Sequence, residues 1–277
     1  MPSPMMPAFP TRRPLRALAL ALAVALLLPA GAWVDGAWVG EARADEVRVV
    51  SSGGFAEAYK ELAPAFEKAT GHTLVAGWGP SMGTTVDAVP QRLARGEPID
   101  VVIMVGYALG KLVDAGQAES RTDLANSGIG VVVRQGAPVP DVSTIEGLKA
   151  ALLAAPSIAY SDSASGVYIQ NEMFKKLGVE DQVRGKARMI PAEPVGGVVA
   201  RGDAALGFQQ ISELKPIQGI TLVGPLPPGA QQNTVFSAGV LTNAPHKEAA
   251  RALVRFLSAP GAAEAIRRSG MEPIAAK

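Results

Sequence analysis

From Val47 onward, short apolar runs alternate with amphipathic stretches, each pair spanning about thirty residues, the rhythm of βα units in an α/β protein with mostly parallel sheets. Residues 47–50 (VRVV) read as the first strand and residues 51–54 (SSGG) as a turn. Phe55, Tyr59, Leu62 and Phe66 then recur at helical spacing up to Ala69, a stripe that must face a sheet. Gly71 ends that helix as its left-handed cap, and residues 72–76 form the second strand. Residues 77–85 (GWGPSMGTT) are a loop leading into a helix through Leu93, and residues 99–104 (IDVVIM) a buried third strand.

A second set begins at Gly128. Residues 128–134 are a strand, and residues 143–146 (STIE) combine an N-cap with a capping-box acid for a helix through Leu153. The strand at 157–160 runs into residues 161–166 (SDSASG) and a helix from Val167 to Leu177, stopped by Gly178. A short strand at 189–190, the loop 191–194 (PAEP), a helix at 195–201 and a strand at 204–208 follow. Strands at 221–224 and 235–241 and amphipathic helices at 247–258 and 260–269 complete the chain. This order predicts a first lobe (residues 45–127), interrupted by a second (128–234), with a return segment (235–277). The fold class is α/β in two lobes, each a mostly parallel sheet flanked by helices, joined by two hinge crossovers. Open parallel sheets carry ligand groups in loops at the carboxyl ends of their strands.

The first 44 residues have a different pattern. Arg12, Arg13 and Arg16 precede an apolar run at 17–28 that is too short to span a bilayer comfortably, and Ala42-Arg43-Ala44 is a small-x-small cleavage site. Ala30-Gly31-Ala32 is a second cleavage point, and residues 11–15 loosely resemble a twin-arginine signal. The segment is expected to be a cleaved export signal that leaves the mature chain free in the periplasm. Composition agrees: 277 residues, formal charge +1 and 48% hydrophobic residues suit a soluble globular protein. Near-neutral charge gives no general field for nucleic acid or lipid. The absence of cysteine excludes disulfides, thiolate metal sites, a cysteine nucleophile and a lipid anchor on cysteine. His72 and His246 lie far apart without metal-ligand spacing and read as surface residues, so no metal and no cofactor is expected, and the chain is expected to be a monomer.

Local chemistry concentrates at three strand-to-helix junctions: Ser51 to Gly54, Ser81 to Thr85, and Ser163 to Gly166. A helix N-terminus presents unpaired N–H groups and the positive end of a dipole, so such loops can hold an anion, with short hydroxyls adding donors. Ser, Thr and Gly are also common in any βα turn as caps, so a single loop of this kind says little. Three together point to a small anionic ligand held between the lobes. Thr84 and Thr85 read either as donors or as caps. Arg121 and Arg134 lie near the first crossing and read as solvated or interlobe side chains more readily than as ligand clamps. Trp78 could wall the cleft; Tyr168, at a helix start, packs against its own lobe.

The segments VRVVSSGGFAEA, FEKATG, ARGEPIDVVI, SASGVYIQNEMFKKLG, VARGDAALGF and VRFLSAPGAAEAIRRSGMEP resemble, along nearly the whole mature chain, the type II periplasmic solute-binding proteins, and within them the molybdate-binding family. The resemblance implies two lobes that close over a buried oxyanion, delivered to an ABC permease in the inner membrane. The family's ligand groups fall at Ser51, Ser52 or Gly54, at Ser81, Thr84 or Thr85, at the Ser165 and Gly166 amides, at Val195 and at Gln210. Gln210 stands where the family has a tyrosine, and Gly54 where it has a serine; an amide there suits a carboxylate or a larger anion. Proteins of this appearance also include a periplasmic aconitate isomerase, which implies an alternative: a proton shift on a tricarboxylate. Asp162, Glu193, Glu213 and His72 are then the available bases, none in a recognisable catalytic setting.

Overall fold

The computed structural model describes residues 44–275; apart from Ala44, the segment read as an export signal lies outside them. The chain opens with β1 (Glu46–Ser51), α1 (Gly53–Thr70), β2 (Thr73–Trp78), α2 (Val89–Ala94), β3 (Val101–Val105), α3 (Gly106–Asp114) and β4 (Thr122–Ser127). It continues with β5 (Ile129–Arg134), α4 (Ile145–Ala154), β6 (Ile158–Ser161), α5 (Ala164–Tyr168), α6 (Phe174–Lys176), α7 (Glu180–Val183) and β7 (Ala187–Ile190). Then come α8 (Val195–Arg201), β8 (Leu206–Gln210), α9 (Ile211–Leu214), β9 (Ile220–Pro225), β10 (Thr234–Val240), α10 (Lys247–Ser258), α11 (Ala263–Arg268) and β11 (Glu272–Pro273).

Two sheets result, ordered β2-β1-β3-β10-β4-β11 and β7-β6-β8-β5-β9. β1 pairs parallel with β2 and β3, and β6 with β7 and β8, as βα units demand. β10, β5 and their other neighbours pair antiparallel, so each sheet is more mixed than the βα rhythm predicts. Strands entering from the other lobe arrive through a crossing rather than a right-handed helical crossover, and nothing then forces parallel entry.

Each sheet has its own core. All five residues of β3 are buried, and the α1 stripe Phe55, Tyr59, Leu62 and Phe66 packs against the first sheet. In the second sheet, Phe208, Ile158 and Val131 face one layer, while Val132 and Ala159 face α8 on the other side. Left-handed Gly71 and Gly202 end α1 and α8. The cap of α4 is Thr144, whose Oγ1 accepts from Gly147 N at 3.0 Å; Ser143 turns instead to Asp141.

The polypeptide passes between sheets at Gly128 and again at residues 226–233. Gln231 links the two passages: its Oε1 accepts from Ile129 N at 2.8 Å and its Nε2 donates to Ile129 O at 3.0 Å. No helix of the described residues is long and apolar enough to cross a membrane.

Candidate functional site

A cleft of about 360 Å³ opens at the carboxyl ends of β1, β2, β6, β7 and β8, with groups from both sheets. Its size suits a small molecule. Ser52, Gly53 and Gly54 enter it from the turn into α1; Ser81 and Thr85 come from the loop after β2, Ser161 from the end of β6 and Ser163 from the turn that follows it.

The hydroxyls differ in their commitments. Ser52 Oγ and Thr85 Oγ1 are buried and have no hydrogen-bond partner, an arrangement that normally implies a ligand or water in attendance. Ser81 Oγ accepts from Val105 N at 2.9 Å, which leaves its own proton to donate. Ser161 Oγ lies 2.8 Å from Ser163 Oγ and 3.0 Å from Ser165 Oγ, a mutually satisfied cluster. In the first turn of α1, Phe55 N–H donates to Ser52 O at 3.3 Å, while the Gly53 and Gly54 amides precede any intrahelical acceptor and lie at the cleft. Gly54 is required there, because a Cβ at that position would overlap the Phe236 ring, which forms an apolar wall of the same cleft.

Among the residues expected to bind a ligand, Ser52, Gly54, Ser81, Thr85 and Gln210 line the cleft. Ser51 does not, since its Oγ bonds the Ser52 carbonyl at 3.1 Å. Thr84 is exposed outside the cleft, and neither threonine caps α2, which starts only at Val89 after a turn. Ser165 and Gly166 sit one layer behind the wall, with Gly166 packed on the Ser161 carbonyl; α5 begins at Ala164, three residues earlier than periodicity placed it. Val195 N–H is occupied, donating to Gln209 Oε1 at 2.9 Å. The Gln210 amide bonds Thr234 Oγ1 at 2.8 Å and, with its carbonyl on Thr234, turns its NH2 to Ser127 Oγ at 3.0 Å. It therefore ties the two passages between lobes. Arg121 is paired with Asp123, and neither Arg121 nor Arg134 lines the cleft. Trp78 does line it, whereas Tyr168 donates to Ala230 O at 2.8 Å within its own lobe.

No lysine, arginine or histidine is found among the described residues of the cleft wall, but Asp87, Asp162, Glu193 and Glu213 are. Three of these carboxylates are engaged. Asp87 lies 3.6 Å from Arg92, Glu193 pairs with Arg201 at 3.1 Å, and Asp162 accepts from Ala192 N at 3.2 Å. Glu213 differs from them. It projects from α9 of the second lobe against Gly53 at the start of α1 in the first, and its Oε2 is sealed from solvent without a partner. Burial pushes this carboxyl up to about 7; the Gln209 side-chain amide and the Gln210 N–H oppose that rise by hydrogen bonding, and nearby Asp162 adds to it. His72, the remaining candidate base, accepts from Asp45 N at 3.1 Å and stacks on Phe66, outside the cleft. Sequence reasoning could not single out Glu213, because a four-residue helix leaves no periodic signal and its surroundings come from both lobes.

With this geometry in view, comparisons are informative. The profile for bacterial extracellular solute-binding proteins matches residues 47–272. The chain is 53% identical over 231 residues to an aconitate isomerase of a Pseudomonas species, covering 83% of this chain and 88% of that protein. It is 27% identical over 253 residues to a molybdate-binding protein of Azotobacter vinelandii, covering 83% and 90%. The solved periplasmic molybdate-binding protein of Azotobacter vinelandii superposes with a TM-score of 0.67 at 23% identity, covering 83% of this chain and 100% of that one, which is a likeness of fold. Two sheets that share a cleft, and a family match across nearly all described residues, agree: the chain belongs to the bacterial extracellular solute-binding proteins.

Proposed function

We propose that this chain is an enzyme on the binding-protein scaffold, an aconitate isomerase that moves a proton along the allylic system of a tricarboxylate. The observation that carries the reading is the Glu213 carboxyl, buried between α9 and Gly53 with its Oε2 unpartnered and raised to about 7 by burial. A receptor that only holds an anion gains nothing from a buried carboxyl facing it, whereas a proton-shifting enzyme requires a base tuned near working pH. The 53% identity to an aconitate isomerase supports the same assignment.

The chemistry follows from those groups. The ionised Glu213 takes a proton from the substrate methylene carbon, and the C–H electron pair spreads through the adjoining double bond onto carboxylate oxygens. The proton returns to the far carbon of the allyl unit, so the double bond shifts and Glu213 ends ionised as it began. The geometry of the new double bond is set by how the chain of the bound substrate is folded when the proton leaves. Ser52 Oγ, Thr85 Oγ1 and the first-turn amides of α1 supply neutral donors to the carboxylates and to the charge that develops on them. The Phe236 ring offers an apolar face to the carbon skeleton.

The test is incubation of purified protein with cis-aconitate while trans-aconitate is followed by proton NMR. Accumulation of the trans isomer to a constant ratio is expected, and its absence with wild-type protein removes the reading.

One observation favours a second reading. The matching profile describes solute-binding proteins, and the cleft retains several neutral hydroxyl donors, so the chain could instead be a periplasmic receptor that delivers a molybdate-type oxyanion to an ABC permease. Under either reading the lobes we propose are residues 45–127 with 235–277, and 128–234. Export to the periplasm by the N-terminal segment is proposed with them. A rise in unfolding temperature with molybdate or tungstate, and none with aconitate, would select the receptor.

A further inference from the structure

We infer that Arg92 is a positioning residue for substrate binding: its guanidinium joins the two ends of the loop that carries Ser81 and Thr85, and so holds the Thr85 hydroxyl in the cleft. The inference rests on the isomerase reading for its substrate and adds to it the group that sets the donor loop.

The loop runs from the end of β2 to the start of α2, and within it Thr85 Oγ1 is buried at the cleft without a partner. Arg92 lies in the last turn of α2 with its side chain 15% exposed. Its Nη2 donates to Trp78 O, where the loop begins, at 3.3 Å, and its Nε donates to Asp87 O, where the loop ends, at 3.1 Å. The third nitrogen, Nη1, donates to Glu97 Oε1 at 2.5 Å. A guanidinium is planar and its N–H directions are fixed, so engaging three acceptors at once sets the spacing of Trp78 and Asp87. Two glycines make room for this arrangement. A Cβ at Gly79 would overlap the Asp87 carbonyl, and one at Gly77 would lie 3.1 Å from Arg92 Nη1. One backbone bond, Val89 N to Pro80 O at 3.0 Å, also crosses the loop, and Arg92 adds two attachments to it.

Arg95, the C-cap of α2, extends the device by donating to Val86 O at 2.7 Å, and it lies 3.5 Å from Glu97. Arg95 and Glu97 belong to the segment ARGEPIDVVI, to which the chemistry above gives no role. Trp78, Val86 and Asp87 all line the cleft. Unpaired carbonyl oxygens beside an anion would repel it. The two arginines offset that charge, while the Thr85 hydroxyl keeps its proton for the ligand.

The experiment is a double-mutant cycle on the KM for cis-aconitate. It combines Thr85→Ala with Arg92→Lys, which keeps a positive charge near Glu97 but loses the fork. Arg92→Lys should raise KM about fivefold with kcat within about twofold of wild type. The double variant should also stand about fivefold above wild type, because both changes remove the same donor. A wild-type KM in Arg92→Lys shows that charge alone suffices, and a rise of about 25-fold in the double variant shows independent action; either result overturns the inference. Amide hydrogen exchange across residues 79–88 needs no substrate and should be about fivefold faster in Arg92→Lys, whereas wild-type exchange there also overturns the inference. Lack of isomerisation in wild-type protein instead overturns the isomerase reading, and the exchange rates still decide whether Arg92 holds the loop.

Discussion

At the scale of the residue, Glu213 carries opposed effects on activity and stability. Its ordinary value of 4.5 rises to about 7 on folding, so the folded state binds more protons than the unfolded state between those limits. The stabilising contribution is whole below pH 4.5 and is lost as pH rises through about 7. Glu213→Gln removes the proposed base and is expected to lower kcat on the order of 10³-fold. The same substitution should raise stability at pH 8 by on the order of 2 kcal/mol relative to wild type, with no gain at pH 4; urea unfolding at the two pH values measures the difference. Ser52 and Thr85 follow a related logic. Their buried hydroxyls have no partner, so Ser52→Ala and Thr85→Ala should leave the unfolding temperature unchanged or higher. Each should raise KM for cis-aconitate about fivefold, the worth of one hydrogen bond near 1 kcal/mol. A loss of stability without an effect on KM would assign these hydroxyls to the framework instead.

At the scale of the element, the turn from β1 into α1 depends on close packing as much as on its donors. The Phe236 ring of β10 occupies the space that a side chain at residue 54 would need. Gly54→Ser should therefore destabilise the protein by about 2 kcal/mol through overpacking, and Phe236→Ala should relieve the clash in the double variant. The measurement is a double-mutant cycle of unfolding free energies, and additivity of the two changes would show that the ring and the turn are independent. The same packing explains why a glycine stands here in place of the serine expected of molybdate binders. An aromatic wall has taken the place of a hydroxyl, which exchanges a donor for an apolar surface suited to a carbon skeleton.

At the scale of the whole molecule, the two passages between lobes are held by side-chain amides. Gln231 clamps Ile129 through both of its ends, and Gln210 spans Ser127 and Thr234. Gln231→Ala removes two hydrogen bonds across the crossings and should lower the unfolding temperature by about 3 °C. On the proposed reading, in which ligand bridges both lobes, trans-aconitate at 100 times its Kd should add about 2.7 kcal/mol of stability to wild-type protein. A differential scanning calorimetry series checks both expectations, and an unfolding temperature insensitive to aconitate would argue against a ligand shared by the lobes.

Much of this molecule was legible in the order of its residues. Apolar periodicity placed α1, the buried β3 and the strands flanking each loop, because the spacing of side chains on a helix or strand is a local property. The Ser52 to Gly54 turn and the loop holding Ser81 and Thr85 were visible as hydroxyl-rich and glycine-rich breaks in that pattern. Other elements were hidden. β4, with the polar sequence TDLANS, becomes a strand because β10 and β11 pair with it on either side, and α9 is too short for any period. The occupation of Val195 N–H by Gln209 and the use of Gln210 as a tie between the crossings were equally invisible, since hydrogen-bond partners distant in sequence are settled only when the sheets assemble. The same holds for Glu213. Its identity as a carboxylate is written in the chain, but its burial against Gly53, and with it the proton affinity on which the proposed chemistry depends, exists only once two lobes exclude water from the space between them.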